Sequence, residues 1–210
     1  MADGRLERGA RARSAVLDTA VKLATEAGLD GLSLGQLAEA LGVSKSGLFS
    51  HWRSKEELQL ATVEHAREQW VRAVIAPALK APHGVRRVWA LHESRMRFYA
   101  DGLLPGGCFF ANTEFEYNAR PGVVRDRLAA AFHEWMTLIE RLVSEAIEAG
   151  ELSVEVDPRQ LAYEIESLGL TAVMQSRLLS DAAYTYARRG VLARLRSLCP
   201  DPSLLPKDAT

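Results

Sequence analysis

The stretch that most constrains the fold runs from Ser33 to Lys55, where the residue pattern predicts two short helices joined by a tight turn. Ser33 and Gln36 have the spacing of a capping box, which satisfies amides at a helix start. Gly42 can adopt the positive φ that ends this first helix. One apolar face at helical spacing is formed by Leu34, Leu37, Ala38 and Leu41.

The second helix carries small polar and basic side chains on its outer faces. Ser44 is its expected N-cap, and Leu48 and Trp52 lie four residues apart on its inner side. From Ser44 to Lys55 there is no acidic residue, and the basic ones are Lys45, Arg53 and Lys55. This is the plan of a helix-turn-helix, whose second helix enters a DNA major groove. An ordinary helical hairpin is the alternative that this stretch alone leaves open.

The run from Gly42 to Leu58, G-V-S-K-S-G-L-F-S-H-W-R-S-K-E-E-L, resembles the DNA-binding domain of the TetR/AcrR family of transcriptional repressors. The resemblance covers about the first 60 residues, and the turn, the recognition helix and the start of the next helix are in register. The run departs from the family's common residues where Gly47 replaces Thr, Phe49 replaces Tyr and Trp52 replaces Phe. These differences affect which DNA sequence is recognised and not the resemblance to the family. The predicted DNA-binding residues are Ser33, Leu34, Ser44, Lys45, Ser46, Gly47, Phe49, Ser50, His51 and Lys55.

Because the chain as a whole has no excess of positive charge, the predicted DNA affinity must come from a local basic patch. The 210 residues have a net charge of −1, with 48% hydrophobic and 25% charged residues, as in an ordinary globular protein. The two cysteines, Cys108 and Cys199, are too few and too far apart to indicate a disulfide framework. We expect a cytoplasmic protein, since the sequence shows neither an apolar leader nor a membrane-spanning run.

Periodicity and helix-end signals predict an all-α chain of about nine helices. Ser54 and Glu57 form a second capping box, on a helix that should end at Pro77, and Asp157 with Pro158 starts another. Leu152 to Val156 alternates like a strand, but it is short and isolated, so we interpret it as a connection. The other expected helices are about Arg11–Ala27, Val85–Asp101, Val123–Ala149 and Asp181–Leu198, with a short aromatic-rich segment over Phe109–Tyr117.

The predicted domain organisation is a helix-turn-helix domain over residues 1–53, a helical effector-binding and dimerisation domain over 54–200, and a loose tail over 201–210. The first ten residues are expected to be disordered. Their charge allows two interpretations, a solvated leader or a DNA-binding arm that uses Arg5, Arg8, Arg11 and Arg13.

The last two long helices, about residues 158–198, are the expected dimer interface. The first of them is apolar nearly all round, so it must be covered on more than one side, by a partner subunit or by its own neighbours. The family resemblance implies a homodimer here. A two-fold dimer places its recognition helices about 34–36 Å apart, or a multiple of that, and predicts a palindromic operator in double-stranded DNA.

A ligand pocket is expected where polar groups are set among aromatic side chains of the middle helices. Arg95 and Glu166 are the sharpest candidates, because a charge on an inward-packed helix needs a partner, either protein or ligand, unless it is simply exposed. Cys108 follows two glycines at a bend and is either a redox sensor or an inert buried thiol. The predicted ligand-binding residues are Arg95, Phe98, Tyr99, Cys108, Phe110, Asn112, Phe115, Trp135, Met136, Glu166, Met174 and Gln175.

Catalysis is not expected. The sequence has no P-loop, no Rossmann glycine pattern, no G-x-S-x-G and no metal-ligand spacing, so we predict neither an enzyme nor a cofactor. An all-helical protein–protein adaptor remains the other interpretation, although it would not need the acid-free patch from Ser44 to Lys55. The predicted function is a dimeric repressor that leaves its operator when a small-molecule effector fills the body. The sequence does not specify the effector, the operator, or repression rather than activation.

Overall fold

The computed structural model describes residues 3–44, 48 and 52–209, with side chains from residue 11 onward. Within these residues the chain contains helices and no strand, which confirms the predicted all-α class. The described residues form eight α-helices: α1 (Asp3–Ala27), α2 (Leu34–Leu41), α3 (Lys55–Trp70, continued by a π-helical turn Val71–Ile75 and a last turn Ala76–Ala78), α4 (Val85–Ala100), α5 (Phe109–Tyr117), α6 (Val123–Glu148), α7 (Pro158–Leu178) and α8 (Ala182–Leu198).

Two predicted helix starts and one helix end are confirmed by their capping geometry. Ser33 Oγ accepts the Gln36 N–H at 3.2 Å, and Gln36 Oε1 accepts the Ser33 N–H at 3.1 Å, so both halves of the capping box are present. Gly42 ends α2 with φ of +63°. Asp157 caps α7 by accepting the Arg159 N–H at 2.9 Å. These features depend on residues within four positions of each other, so sequence spacing is sufficient to predict them.

The capping box predicted at the start of α3 is formed only in part. Ser54 Oγ accepts the Glu57 N–H at 3.0 Å, as expected. The Glu57 carboxylate, however, accepts the Arg53 N–H at 2.7 Å, one residue before the amide that a capping box would use. The carboxylate thereby satisfies an amide that lies just outside the helix.

The prediction that Pro77 ends the third helix is wrong, because helical structure continues to Ala78. A proline ring inside an α-helix clashes with the carbonyl four residues earlier and has no N–H to donate. The chain meets this constraint with the π-helical turn Val71–Ile75, in which the Ala76 N–H bonds to the Val71 carbonyl, five residues back. Pro77 lies in the first positions of the turn Ala76–Ala78, where its missing N–H is tolerated, and the helix ends one residue later.

The expectation of a disordered leader is also wrong, since α1 begins at Asp3. No proline interrupts the residues before Arg11, and their Ala, Arg, Glu and Leu content favours a helix. The Arg13 guanidinium lies 4.9 Å from the centroid of the Trp52 ring, so this arginine packs on the protein rather than extending from a loose arm.

The tail after α8 is packed rather than loose, contrary to prediction. Pro202–Leu204 forms a 3-10 turn, and Leu205 is buried. Arg196 Nη1 donates to the carbonyls of Pro202 at 3.2 Å and Pro206 at 2.8 Å. Prolines supply carbonyl acceptors although they lack amide donors, and a single buried leucine with two such bonds suffices to hold a short segment.

The chain forms two compact units, and both are discontinuous in sequence. Unit 1 comprises Met1–Gln69 and Leu104–Ala130, and unit 2 comprises Trp70–Leu103 and Ala131–Thr210. The predicted boundary between residues 53 and 54 divides the chain by motif and stays a prediction. Unit 1 has a continuous apolar core contributed by α1, α2, α3, α5 and the start of α6, together with Leu48 and Trp52.

Unit 2 is built from the end of α3, α4, most of α6, α7 and α8. Its buried apolar residues recur at helical spacing on each element, as in Leu161, Ile165, Ala172 and Val173 of α7. The segment after α6 is a turn-rich connection and not a strand, as predicted. None of the described helices has the length and apolar character needed to cross a membrane.

Candidate functional site

The inner side of the predicted recognition helix is in place. Leu48 and Trp52 are buried in the core of unit 1, and the Trp52 N–H donates to the Leu48 carbonyl at 3.3 Å. Leu37 of α2 belongs to the same core. Leu48 and Trp52 therefore share a core with α2, which is the arrangement that a helix-turn-helix requires.

Six of the predicted DNA-binding residues, Lys45, Ser46, Gly47, Phe49, Ser50 and His51, lie outside the described residues and stay predictions. Ser44 is exposed. The Ser33 hydroxyl is engaged in the cap of α2, and the Leu34 side chain is buried in the core. Any contact of Leu34 with DNA must therefore come from its backbone amide at the start of α2, because a buried apolar side chain cannot reach a phosphate.

Lys55 is the predicted phosphate-binding residue whose geometry is described, and its ammonium group already contacts a carboxylate. Lys55 Nζ lies 3.2 Å from Asp30 Oδ1, and Arg120 Nη1 lies 2.7 Å from Asp30 Oδ2. The bond to Arg120, followed by the bond to Lys55, lowers the pKa of Asp30 below its usual value. Neither Asp30 nor Arg120 was predicted, since they are far apart in sequence and only the fold makes them neighbours.

A buried polar cluster in unit 2 unites four of the predicted ligand-binding residues. Arg95 and Glu166 form a two-pronged ion pair, Nη1 to Oε2 at 2.7 Å and Nη2 to Oε1 at 2.9 Å. Arg95 Nε donates to Tyr99 Oη at 2.8 Å, and Trp135 Nε1 donates to Glu166 Oε2 at 2.6 Å. The partner that each buried charge was expected to need is therefore the other member of the pair.

The surroundings of this cluster keep Arg95 charged. Burial alone would lower the pKa of Arg95, but the Glu166 carboxylate and then Tyr99 raise it above its usual value. The helices approach closely at Gly169, where an added Cβ would overlap the Arg95 guanidinium. Aromatic rings cover one side, since the ring centroid of Trp70 lies 5.4 Å from that of Phe98 and 5.3 Å from that of Trp135.

His92 is a buried polar residue beside this cluster and is not among the predicted site residues. It is 1% exposed, and neither ring nitrogen makes a hydrogen bond of ordinary geometry. Burial, then the charges of Arg95 and Arg188, lower its pKa to about 3, against a weaker opposing effect of the Ala187 backbone. Helical spacing was the available signal, because His92 follows the buried Val88 by four residues.

The other predicted ligand-binding residues do not join the cluster directly. Asn112 supports unit 1, where its side-chain amide donates to the carbonyls of Thr25 and Gly106, both at 3.0 Å. Cys108 is buried in unit 1, and Phe110 packs edge-on against Phe109. Phe98 meets Trp70, as described above, and Met136 is half-buried. Exposed positions are occupied by Phe115, Met174 and Gln175.

Two family sequence models match the chain. Residues 16–62 match "Bacterial regulatory proteins, tetR family", and residues 84–191 match "Tetracyclin repressor-like, C-terminal domain". Among curated proteins, the transcriptional regulator AcuR of Cereibacter sphaeroides is 26% identical over 142 residues, which cover 66% of this chain and 64% of AcuR. The chain thus spans slightly less than two thirds of the length of this relative.

Solved structures share the fold over nearly the whole chain. A TetR transcriptional regulator from Chloroflexus aurantiacus superposes with a TM-score of 0.81 at 28% identity, covering 91% of this chain and 95% of that one. AibR, in a complex with isovaleryl coenzyme A and operator DNA, has a TM-score of 0.65 at 21% identity, covering 89% and 97%. At that identity the second likeness concerns the fold alone.

Proposed function

Because this chain belongs to the TetR family of transcriptional regulators, we propose that it is a dimeric, cytoplasmic repressor that binds a palindromic operator and leaves it when a small-molecule effector binds. The observation that carries the proposal is the helix-turn-helix framework. Leu37, Leu48 and Trp52 pack in one core, and the predicted recognition segment lies between Gly42 and Trp52. The small polar residues and Lys45 belong to this segment, and helical spacing from Leu48 and Trp52 predicts that they are on its outer faces.

We assign two roles at the DNA interface. Residues Ser44 to His51 contact base edges and phosphates in the major groove. Lys55 and the first amides of α2 and α3 contact phosphates on either side, since helix N-termini and ammonium groups both favour anions. The net charge of −1 is compatible with this function because only the local charge of the motif meets DNA.

The test is binding of the purified protein to the DNA that flanks its own gene, measured by fluorescence anisotropy over a salt series with unrelated DNA as competitor. We expect tight binding that weakens with salt and resists the competitor. Lys45→Ala and Lys55→Ala should each weaken binding and reduce the salt slope by about one unit. Lys80→Ala is the matched control, since it removes the same charge from an exposed position of unit 2. Salt slopes unchanged in both variants would contradict this placement of the interface.

We place the dimer interface on α7 and α8, where large exposed apolar side chains are concentrated. Tyr163, Leu178 and Tyr186 are 65%, 82% and 66% exposed. A groove of about 360 Å³ between the two helices is lined by Tyr163, Ile165, Leu168 and Val191, among others. Exposed apolar surface of this kind is characteristic of an interface, and a two-fold dimer explains a palindromic operator.

The dimer test is the molar mass in solution by light scattering after size-exclusion chromatography. Tyr163→Glu should shift the mass from dimer towards monomer, because it places a charge in the apolar interface. Val154→Glu is the control, since Val154 is 84% exposed in the connection before α7. A dimer that survives the first variant as well as the second would place the interface elsewhere.

We propose that the effector binds in the body, at the aromatic residues next to the Arg95–Glu166 pair. Phe98, Tyr99 and Trp135 offer apolar faces there, whereas the hydrogen bonds of Arg95 and Glu166 are already made within the protein. The remaining predicted residues stay candidates. An effector can release DNA only if it binds the DNA-incompetent state more tightly. Screening compounds for reversal of the anisotropy signal tests this, and Phe98→Ala, which leaves the hydrogen bonds of the Arg95–Glu166 pair in place, should weaken the response without weakening DNA binding.

A further inference from the structure

The turn between α1 and α2 contains one carboxylate that two cations share. Asp30 contacts Lys55 at 3.2 Å through one oxygen and Arg120 at 2.7 Å through the other. All three side chains are about half exposed and belong to unit 1. Lys55 is a proposed phosphate contact, whereas Arg120 follows α5 and lies within the segment 84–191 that matches the C-terminal domain of the family. Asp30 therefore joins the proposed DNA contact to a residue of the C-terminal domain.

The turn that carries Asp30 is held by residues far along the chain. The Glu116 carboxylate of α5 accepts the backbone N–H of Leu29 at 2.7 Å and that of Asp30 at 2.8 Å. Gly28, with φ of +83°, allows this approach, since a Cβ there would lie 2.9 Å from Glu116 Oε1. Two charge-assisted hydrogen bonds to adjacent amides fix the turn relative to α5.

A second link ties the same turn to α3. Gln59 Nε2 donates to the Leu29 carbonyl at 2.9 Å and to Tyr117 Oη at 3.0 Å. Burial foremost raises the pKa of Tyr117 to about 12, so the phenol stays neutral at this position. The backbone at Asp30 is thus held from α3 and from α5, whereas the side chains of Asp30, Lys55 and Arg120 are about half exposed.

While the Asp30 carboxylate contacts both Lys55 and Arg120, neither cation is fully free to bind another anion. A DNA phosphate competes with Asp30 for Lys55, because both are anions that bind the same ammonium group. Arg120 makes the shorter contact with Asp30, and its guanidinium can use several donors in one plane. When Arg120 holds Asp30, less of the negative charge is directed at Lys55, and the ammonium group transfers to phosphate more easily.

We propose that Asp30 and Arg120 are positioning residues for the Lys55–phosphate contact, so that the engagement of Arg120 with Asp30 raises operator affinity and its withdrawal lowers it. The inference rests on the proposed function, because it requires Lys55 to bind a phosphate of the operator. It assigns to the segment that matches the C-terminal family model a direct electrostatic influence on the DNA-binding surface, within unit 1, through a single ion pair.

The test is a set of double-mutant cycles in the full-length protein, measured as operator affinity over a salt series. Asp30→Asn should raise the affinity about two- to fivefold per bound subunit, since exposed ion pairs have couplings of this size. Arg120→Gln should lower it by a similar factor, and Arg120→Lys should restore most of the loss. The effect of Asp30→Asn should vanish in the Lys55→Ala background, and the effect of Arg120→Gln should vanish in the Asp30→Asn background.

Matched controls separate these effects from changes in overall charge. Asp126→Asn and Arg125→Gln remove the same charges from exposed positions of unit 1 that do not contact Asp30. Circular dichroism verifies that each variant is folded. An effect of Asp30→Asn that is equal in the wild-type and Lys55→Ala backgrounds would overturn the inference while leaving the regulator function intact. Wild-type protein that binds no DNA at any salt concentration would instead refute the proposed function itself.

Discussion

The carboxylates of Asp30 and Glu166 each bind an arginine at 2.7 Å, yet their environments are opposite. Asp30 and Arg120 have side chains 49% and 51% exposed, whereas those of Glu166 and Arg95 are 9% and 4% exposed. Water screens the Asp30–Arg120 pair and can replace either partner, so this ion pair contributes little to the free energy of unfolding. The second pair has no water to replace a lost partner, so removing one member leaves a buried charge.

Because of this difference, the Asp30–Arg120 pair can exchange partners, whereas the Glu166–Arg95 pair stabilises the fold. The exposed pair lies where a competing anion can approach, which suits adjustment of DNA affinity. The buried pair is bound on every side, by Tyr99, by Trp135 and by the close approach of Gly169. It therefore specifies how α4 and α7 pack, and its removal should affect folding before it affects ligand binding.

The largest expected effect is that of Glu166→Ala, which leaves Arg95 charged and buried and deprives Trp135 of its acceptor. We expect a loss of about 3–5 kcal/mol in the free energy of unfolding. The double variant Arg95→Met/Glu166→Leu should recover most of this loss, because it removes both charges together. Urea unfolding at a fixed protein concentration measures both. If Glu166→Ala were as stable as wild type, the Arg95–Glu166 pair would not be needed to hold α4 against α7.

The next effect is a dependence of stability on pH that originates at His92. In the unfolded chain this histidine takes up a proton below about pH 6.5, whereas its folded pKa is about 3. The unfolded state therefore binds more protons between these values, and stability falls as the pH is lowered through that window. From pH 7.5 to 5 we expect His92 to cost about 2 kcal/mol of unfolding free energy.

His92→Leu tests this dependence. The substitution should flatten the pH profile over that interval and leave stability at pH 7.5 equal or slightly higher, since the buried ring nitrogens make no hydrogen bond of ordinary geometry. His133→Leu, at an exposed position of α6, is the control. A profile as steep in the His92 variant as in wild type would place the responsible proton uptake elsewhere.

A smaller effect is expected for Gly169→Ala. The new Cβ would overlap the Arg95 guanidinium, which cannot move away because Glu166 holds it, and we expect a loss of about 1–2 kcal/mol. Gly190→Ala is a matched control in the neighbouring helix, where the nearest atom is the end of the Leu168 side chain at 3.3 Å. The control should be nearly neutral or stabilising. Thermal unfolding of both variants measures the difference, and equal midpoints would show that the Arg95 site is not tightly packed.

The smallest expected effect on stability is that of Asp30→Asn. Because the carboxylate is half exposed and solvent screens it, we expect a change well below about 1 kcal/mol. The same variant is expected to change operator affinity, so stability and function respond differently at this residue. An unfolding midpoint lowered as far as in Glu166→Ala would erase the distinction between the two pairs.

Much of the fold was predictable because the relevant interactions are local. The cap formed by Ser33 and Gln36, the positive φ of Gly42 and the start of α7 at Asp157 all involve residues within four positions of one another. The inner positions of Leu48 and Trp52 were predictable from helical spacing for the same reason. The wrong predictions concern Pro77, which follows a π-helical turn, and the two chain ends. At the first end the helix propensity was underestimated, and at the second end Leu205 is buried by tertiary packing.

The sequence by itself determined the helices, the helix-turn-helix motif and the need of Arg95 and Glu166 for partners, since propensity, capping and the cost of a buried charge act over short distances. Only the tertiary structure decided which groups meet. Arg95 pairs with a residue 71 positions away, and Glu116 binds amides 86 and 87 positions before it. Such pairings leave no local pattern, because many arrangements of the same helices would satisfy the same periodicity and only side-chain packing selects one of them.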